Sequence, residues 1–68
     1  MNHNHNYQIA LNRITECKKN KTTFLYLSNL KLTTLPSEIG NCTNLERIFL
    51  DKNKINLLPE KLHNLVIS

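Results

Sequence analysis

The sequence predicts an α/β solenoid in which an N-terminal capping helix precedes two copies of a strand–turn–return unit. The first supporting observation is a repeat, because residues 22–44 and 45–67 share one apolar pattern with a period of 23 residues. The second is a change of pattern, because residues 6–21 carry apolar side chains at helical spacing. The third is length, because 68 residues are enough for a single small domain only.

The composition argues against several classes of protein. Two cysteines form one bridge at most, whereas small secreted scaffolds usually carry about two to four. The sequence has no apolar run near the roughly 18 residues that a transmembrane helix needs. Its polar N-terminus lacks the apolar segment of a signal peptide. We therefore expect a cytoplasmic protein, and the same features are compatible with delivery into a host cell as an effector.

The capping helix is predicted over residues 6–21. One face of this helix carries Tyr7, Ala10, Leu11, Ile14 and Cys17. Ile9 lies off that face. Lys18 and Lys19 fall in the last turn, where cations interact favourably with the helix dipole, and Asn20 is the predicted left-handed terminator. We expect the apolar face to cover the open edge of the first strand, because an uncovered parallel edge promotes aggregation.

Residues 1–5 are interpreted as a flexible tail or the remnant of an expression tag. His3 and His5 alternate with asparagine, and histidines at this spacing bind a metal only weakly. His63 is remote in sequence, so no third ligand lies nearby. The sequence therefore predicts no metal site.

The two units, leucine-rich in composition, match in chemical type at eight of 23 aligned positions. The matching pairs are Leu25 with Ile48, Tyr26 with Phe49, Leu27 with Leu50, Leu32 with Ile55, Leu35 with Leu58, Pro36 with Pro59, Ile39 with Leu62, and Cys42 with Leu65. Leu25 and Leu27 alternate with period two, which predicts a strand with one buried face. The second unit repeats this spacing, so stacked units form a short parallel sheet.

The residues after each strand predict how the chain turns and returns. Asn53 follows the second strand, and its amide offers both a donor and an acceptor to the backbone of a buried turn. Pro36 and Pro59 favour an extended or turn conformation on the return path. The pairs at i, i+3 spacing that follow predict one short helical turn in each unit. These pairs are Ile39 with Cys42, and Leu62 with Leu65.

The second unit resembles the leucine-rich repeat family at every defining position. Its pattern is Leu45-x-x-Ile48-x-Leu50-x-x-Asn53-x-Ile55-x-x-Leu58-Pro59-x-x-Leu62-x-x-Leu65. The spacing is similar to the intracellular 23-residue class with an LPxxI segment, and the resemblance covers residues 22–67. The first unit departs from the pattern because Leu30 occupies the asparagine position. The resemblance implies a module that binds a protein partner through the outward, concave face of its strands.

The outward positions of the two strands are the predicted protein-binding residues. They are Phe24, Tyr26, Ser28, Arg47, Phe49 and Asp51. Parallel stacking in register predicts three neighbouring pairs across the strands, which are Phe24 with Arg47, Tyr26 with Phe49, and Ser28 with Asp51. Aromatic residues and arginine are enriched at interface hot spots. The alternative is that cross-strand aromatics only stabilise the sheet, by about 0.2–1 kcal/mol.

No enzymatic chemistry is predicted for this chain. Cys17 and Cys42 fall at apolar positions, and we interpret both as structural because a catalytic thiol needs a base and a partly exposed site. Gly40 is the one glycine, so a glycine-rich phosphate loop is absent. No nucleophile, base and orienting residue share a predicted site. We expect no catalytic residues and no cofactor.

The net charge of +4 is spread over separate elements. The lysine clusters are Lys18, Lys19 and Lys21, and Lys52, Lys54 and Lys61. They are predicted on a helix end, a turn and a return path, not along one aromatic groove of the kind that binds single-stranded nucleic acid. We therefore expect a solvated surface, with neither nucleic acid nor membrane as a partner.

Two alternatives concern the context of these units. One is that they form the N-terminal part of a longer signalling enzyme or effector, such as a Roco GTPase, a kinase or a ubiquitin ligase. The other is self-assembly through the C-terminal repeat edge, where Ile67 is expected to end an unpaired, uncapped unit. Solenoids need about three repeats for stability. Two units therefore predict a truncated, self-associating or marginally stable module.

Overall fold

The computed structural model describes the backbone of residues 3–68 and the side chains of residues 5–68. In chain order the elements are helix α1 (His3–Asn20), strand β1 (Phe24–Tyr26), a first 3-10 helix (Ser37–Asn41), strand β2 (Arg47–Phe49), a second 3-10 helix (Glu60–Asn64) and strand β3 (Val66–Ile67). The three strands form one parallel sheet in the order β1-β2-β3.

Helix α1 begins earlier and ends differently from the prediction. It starts at His3, so positions 3–5 are helical and not part of a tail; positions 1 and 2 lie outside the described residues. The helix extends because neither glycine nor proline interrupts this segment. Lys18 and Lys19 lie in its last turn, as predicted. Asn20 is still helical, and the left-handed residue is the next one, Lys21, with φ of 55°.

The helix contributes one apolar face to the core. Ala10, Ile14 and Cys17 are buried there, as their spacing predicts. Ile9 also packs against the core, although the predicted face excludes it. The segment packs beside β1, whose Leu25 lies in the same apolar cluster.

One side chain of α1 and one from the turn that follows it satisfy backbone groups at the outer edge of β1. The guanidinium of Arg13 donates a hydrogen bond to the carbonyl oxygen of Tyr26 at 3.0 Å. The hydroxyl of Thr22 donates to the carbonyl oxygen of Phe24 at 3.3 Å. These contacts occupy carbonyl groups that would otherwise be available to another strand.

The register of β1 and β2 confirms the 23-residue alignment. Phe24 pairs with Arg47, and Tyr26 pairs with Phe49, in a parallel arrangement. Leu25 and Ile48 are opposite each other and are 5% and 0% exposed, respectively. The buried and outward faces are therefore those that the period-two spacing predicts.

Strand β3 corrects the prediction that the last unit is unpaired. Val66 lies opposite Arg47, and Ile67 lies opposite Ile48. The backbone N–H of Val66 donates to the Glu46 carbonyl at 3.0 Å. Paired residues of β2 and β3 are closer in sequence than the 23-residue period. The reason is that only Leu65 separates the second 3-10 helix from β3.

The turns of the two units follow the sequence pattern. Pro36 and Pro59 have nearly the same backbone angles, with φ of −60° and −57° and ψ of 139° and 144°. Each proline directly precedes a 3-10 helix, which confirms the predicted helical turns. The equivalent residues Asn29 and Lys52 both adopt positive φ, 57° and 62°. The chain therefore turns in the same way after β1 and after β2.

Candidate protein-binding face

The six predicted binding residues lie on the outward side of β1 and β2 and in the turns that follow them. We call this surface, made of Phe24, Tyr26, Ser28, Arg47, Phe49 and Asp51, the binding face. Phe24 and Tyr26 are each 53% exposed, and Phe49 is half-buried. The centre of the binding face is therefore aromatic and open to solvent.

The three aromatic rings of the binding face form a chain in which Tyr26 contacts both of the others. Tyr26 and Phe49 are stacked, with ring centroids 4.2 Å apart and planes 11° from parallel. Phe24 meets Tyr26 edge-to-face at 6.0 Å and 80°. Both arrangements are favourable for aromatic pairs. The parallel register places Tyr26 and Phe49 side by side, and their stacking covers part of the Phe49 ring.

Arg47 flanks the aromatic cluster. Its Cζ atom lies 5.9 Å from the centroid of the Phe49 ring, which is within the range of a cation–π contact. Its guanidinium also donates to the hydroxyl of Ser68 at 3.4 Å. The charged group is thus held beside the rings while the residue stays exposed.

The polar end of the binding face is also joined across the two units. The Ser28 hydroxyl donates to an Asp51 carboxylate oxygen at 2.5 Å, which confirms the predicted pairing. The backbone N–H of Asn29 donates to the carbonyl oxygen of Asp51 at 2.9 Å. These two hydrogen bonds hold the turn after β1 against the turn after β2, at the carboxyl end of the strands.

A shallow groove of about 410 Å³ runs over the aromatic part of the binding face. Its lining residues are Thr23, Phe24, Tyr26, Glu46, Arg47, Phe49 and Val66. Ser28 and Asp51 lie outside the groove. Thr23 and Glu46 were missed by the prediction, although both directly precede a strand at equivalent repeat positions. Val66 was missed because strand β3 was not predicted.

The two cysteines lie away from this groove. Cys17 and Cys42 are free and buried, in agreement with their apolar positions. The Thr22 hydroxyl lies 2.9 Å from the Cys17 sulfur as well as 3.3 Å from the Phe24 carbonyl oxygen, and its one proton is shared between these two acceptors. Burial, together with the neighbouring Cys17 side chain, raises the pKa of the Cys42 thiol to about 11, and the charge of Lys18 opposes this rise.

The histidines give no constellation of metal ligands in the described part of the chain. His5 is exposed on α1, and His63 is exposed on the second 3-10 helix. The side chain of His3 lies outside the described residues. Among the residues that the structure describes, no group of three or more histidine, cysteine or acidic side chains is placed to hold a metal ion.

The described residues include no helix that is both long enough and apolar enough to cross a membrane.

Comparisons with known proteins find a partial similarity. A stretch of 42 residues, 62% of this chain, is 43% identical to volume-regulated anion channel subunit LRRC8A of Rattus norvegicus, Mus musculus and Homo sapiens. The match spans only 5% of the length of these curated relatives. No protein-family model matches the chain, and no solved structure matches it. The similarity supports leucine-rich repeat character for the matched stretch.

Proposed function

We propose that this chain is a protein-binding module built as a short leucine-rich repeat solenoid, and that its partner docks on the binding face. The parallel register at a 23-residue separation supports the solenoid. The similarity to a leucine-rich repeat-containing protein also supports it. The module has no catalytic role in this proposal.

The stacked, exposed aromatic pair is the observation that carries the proposal. The buried side of the sheet already contains Leu25 and Ile48, so the fold does not require Tyr26 to be aromatic. Its ring is half exposed yet is held against Phe49. Tyrosine is enriched among residues that dominate binding energy. The arrangement thus offers apolar area to a partner at little cost in side-chain entropy.

The shape of the groove indicates the size of the contact. A volume of about 410 Å³ with a wide opening accommodates a few side chains of a partner, not an enclosed small molecule. Arg47 supplies a positive charge beside the apolar rings. We therefore expect a partner surface with apolar side chains and a nearby acceptor group.

The test compares affinity capture by three forms of the chain from extracts of its source. The double variant Tyr26→Ala/Phe49→Ala removes the stack, and Leu57→Ala is the matched control because Leu57 is 82% exposed and lies outside the groove. A partner on the binding face is retained by the wild type and by the control and is lost from the double variant.

Affinity and folding are then measured with the purified partner. Hot-spot residues cost about 2 kcal/mol or more, so the double variant should weaken binding by roughly 30-fold or more. Circular dichroism should remain that of the wild type. Equal affinity of a folded double variant would contradict the proposal.

Self-assembly through β3 is the second candidate. Val66 and Ile67 are 52% and 40% exposed on the last strand of the described sheet, where alternate backbone groups face away from β2. A second chain that pairs there would make the molar mass rise with concentration in light scattering. Val66→Lys should suppress that rise, whereas Tyr26→Ala should not.

A further inference from the structure

We propose that Cys17 and Cys42 form a dithiol site, which a small-molecule disulfide such as oxidised glutathione converts into a disulfide between α1 and the first repeat unit. This site is independent of the binding face. Both cysteines are reduced in the structure.

The fold brings the two side chains into one place. Cys17 and Cys42 are 4% and 8% exposed and belong to the same apolar cluster. The Cys42 thiol donates to the carbonyl oxygen of Ile14 at 3.6 Å. Ile14 lies three residues before Cys17 on the same helix, so the Cys42 sulfur lies against the helix face that carries Cys17.

A small cavity touches both sulfur-bearing residues. Its volume is about 200 Å³. It is lined by Cys17, Lys18, Lys21, Thr22, Asn41, Cys42, Thr43 and Asn44. The cavity joins the end of α1 to the end of the first 3-10 helix, which are the two segments that the proposed disulfide connects.

The surroundings of the two thiols differ and set the order of reaction. Cys17 accepts a hydrogen bond from the Thr22 hydroxyl at 2.9 Å and shares the cavity with Lys18 and Lys21. The raised pKa of Cys42, to about 11, keeps that thiol protonated at neutral pH. Cys17 therefore attacks first, and Cys42 completes the bond.

The reaction consists of two exchanges. Cys17 loses its proton to solvent, and its thiolate attacks one sulfur of oxidised glutathione; the sulfur–sulfur bond of glutathione breaks, a mixed disulfide forms, and the released glutathione thiolate takes up a proton. Cys42 then loses its proton to solvent and attacks the Cys17 sulfur, which releases the second glutathione. Two protein thiols are oxidised by two electrons, and one small-molecule disulfide is reduced to two thiols.

Burial controls the rate and the consequence of this reaction. Because Cys17 is 4% exposed, the first exchange requires local opening of the last turn of α1. The closed loop spans about 25 residues, so the bond restricts the unfolded chain substantially. We expect the thermal midpoint of the oxidised protein to rise by about 10 °C or more.

The experiment incubates the whole chain with oxidised and reduced glutathione, blocks remaining thiols with N-ethylmaleimide under unfolding conditions, and records the intact mass. The expected product has lost two hydrogens, carries no maleimide and elutes as a monomer. Proteolytic mapping should give one linked peptide pair containing Cys17 and Cys42. The thermal midpoint should fall back to its initial value after reduction.

Two single variants serve as controls. Cys17→Ala and Cys42→Ala each keep one thiol, so neither should gain thermal stability from oxidation. The proposal is overturned if the wild type keeps two maleimide-reactive thiols, carries glutathione on both cysteines, or forms only disulfides between chains. The peptide map of the wild type decides the question regardless of whether a variant folds.

Discussion

The side-chain amide of Asn53 donates a hydrogen bond to the carbonyl oxygen of Leu27 at 2.7 Å, across 26 residues of sequence. The amide oxygen of the same residue accepts from the backbone N–H groups of Leu30 and Leu32, at 3.0 and 2.9 Å. A further bond reaches the carbonyl oxygen of Leu50 at 3.0 Å. One side chain thus satisfies backbone groups of the turn in both units, whereas the sequence predicts this role only for the turn that contains Asn53.

Replacement of Asn53 should therefore destabilise both units. Asn53→Ala leaves the partly buried N–H groups of Leu30 and Leu32 without their acceptor. An unsatisfied group of this kind costs about 1–3 kcal/mol. We expect the free energy of unfolding, measured with urea, to fall by about 2–3 kcal/mol.

Asn56→Ala is the control for this change, because Asn56 is exposed on the same loop. It should alter the free energy of unfolding by less than about 0.5 kcal/mol. Equal effects of the two substitutions would contradict the role assigned to Asn53.

Ile48 lies in the central strand and is fully buried. Ile48→Ala should cost about 2–5 kcal/mol because it removes apolar contacts and leaves a cavity. A chain of this length has roughly 3–10 kcal/mol of stability in total. We expect the variant to lose much of its cooperative thermal transition, whereas Leu57→Ala, at an 82% exposed position, keeps it.

Lys52 adopts a left-handed conformation, with φ of 62°. A side chain in this region is strained, whereas glycine is not. Lys52→Gly should raise the free energy of unfolding by about 0.5–1 kcal/mol. Lys54→Gly removes the same charge at a position without positive φ and should lower stability by a similar amount. Destabilisation by both would refute the strain argument.

The raised pKa of Cys42 makes stability depend on alkaline pH. The folded pKa, about 11, exceeds the ordinary value of 9.0 because burial favours the neutral thiol. The contribution is therefore complete below pH 9 and is lost as the pH rises towards 11. The expected slope is at most about 1.4 kcal/mol per pH unit.

Urea unfolding from about pH 8 to pH 11, a range that includes the ordinary pKa of 9.0 and the folded pKa of about 11, measures this loss. The quantity of interest is the difference in the free energy of unfolding between the wild type and Cys42→Ala, because this comparison isolates the Cys42 thiol. That difference should shrink with pH. A constant difference would show that the Cys42 thiol is not buried as described.

The stacked rings of Tyr26 and Phe49 should be energetically coupled. The coupling free energy from a double-mutant cycle with alanine is expected at about 0.5–1.5 kcal/mol. Phe24→Ala with Phe49→Ala serves as the comparison, because the direct ring contact of Phe24 is with Tyr26. Additive effects of Tyr26→Ala and Phe49→Ala on unfolding would mean that the stack adds nothing to the fold.

The period of the sequence predicts the pairing of β1 with β2 because one register satisfies both buried faces. Shifting Leu25 against Ile48 by one residue would expose the apolar side of one strand. The same register predicts that Tyr26 neighbours Phe49. The stacked geometry of the rings depends on rotamers and on local sheet twist, which the spacing of residues does not determine.

Other features of the structure were not predicted from the sequence, for reasons that can be identified. Strand β3 consists of only Val66 and Ile67, and its separation from β2 breaks the repeat period. Ile9 lies beside the predicted helix face and still packs against the core. The partly buried side chains of the helix cover a wider part of its circumference than the fully buried ones. Arg13 looks like a surface residue, yet its long side chain reaches the β1 edge.

Strand β3 also occupies the edge of β2 that faces away from β1. Val66 and Ile67 occupy backbone positions on β2 that a unit continuing with the 23-residue period would need for its own strand. The native strand arrives four residues earlier than that period requires. A further strand at the 23-residue spacing could therefore pair with this edge of β2 only after Val66 and Ile67 had left it.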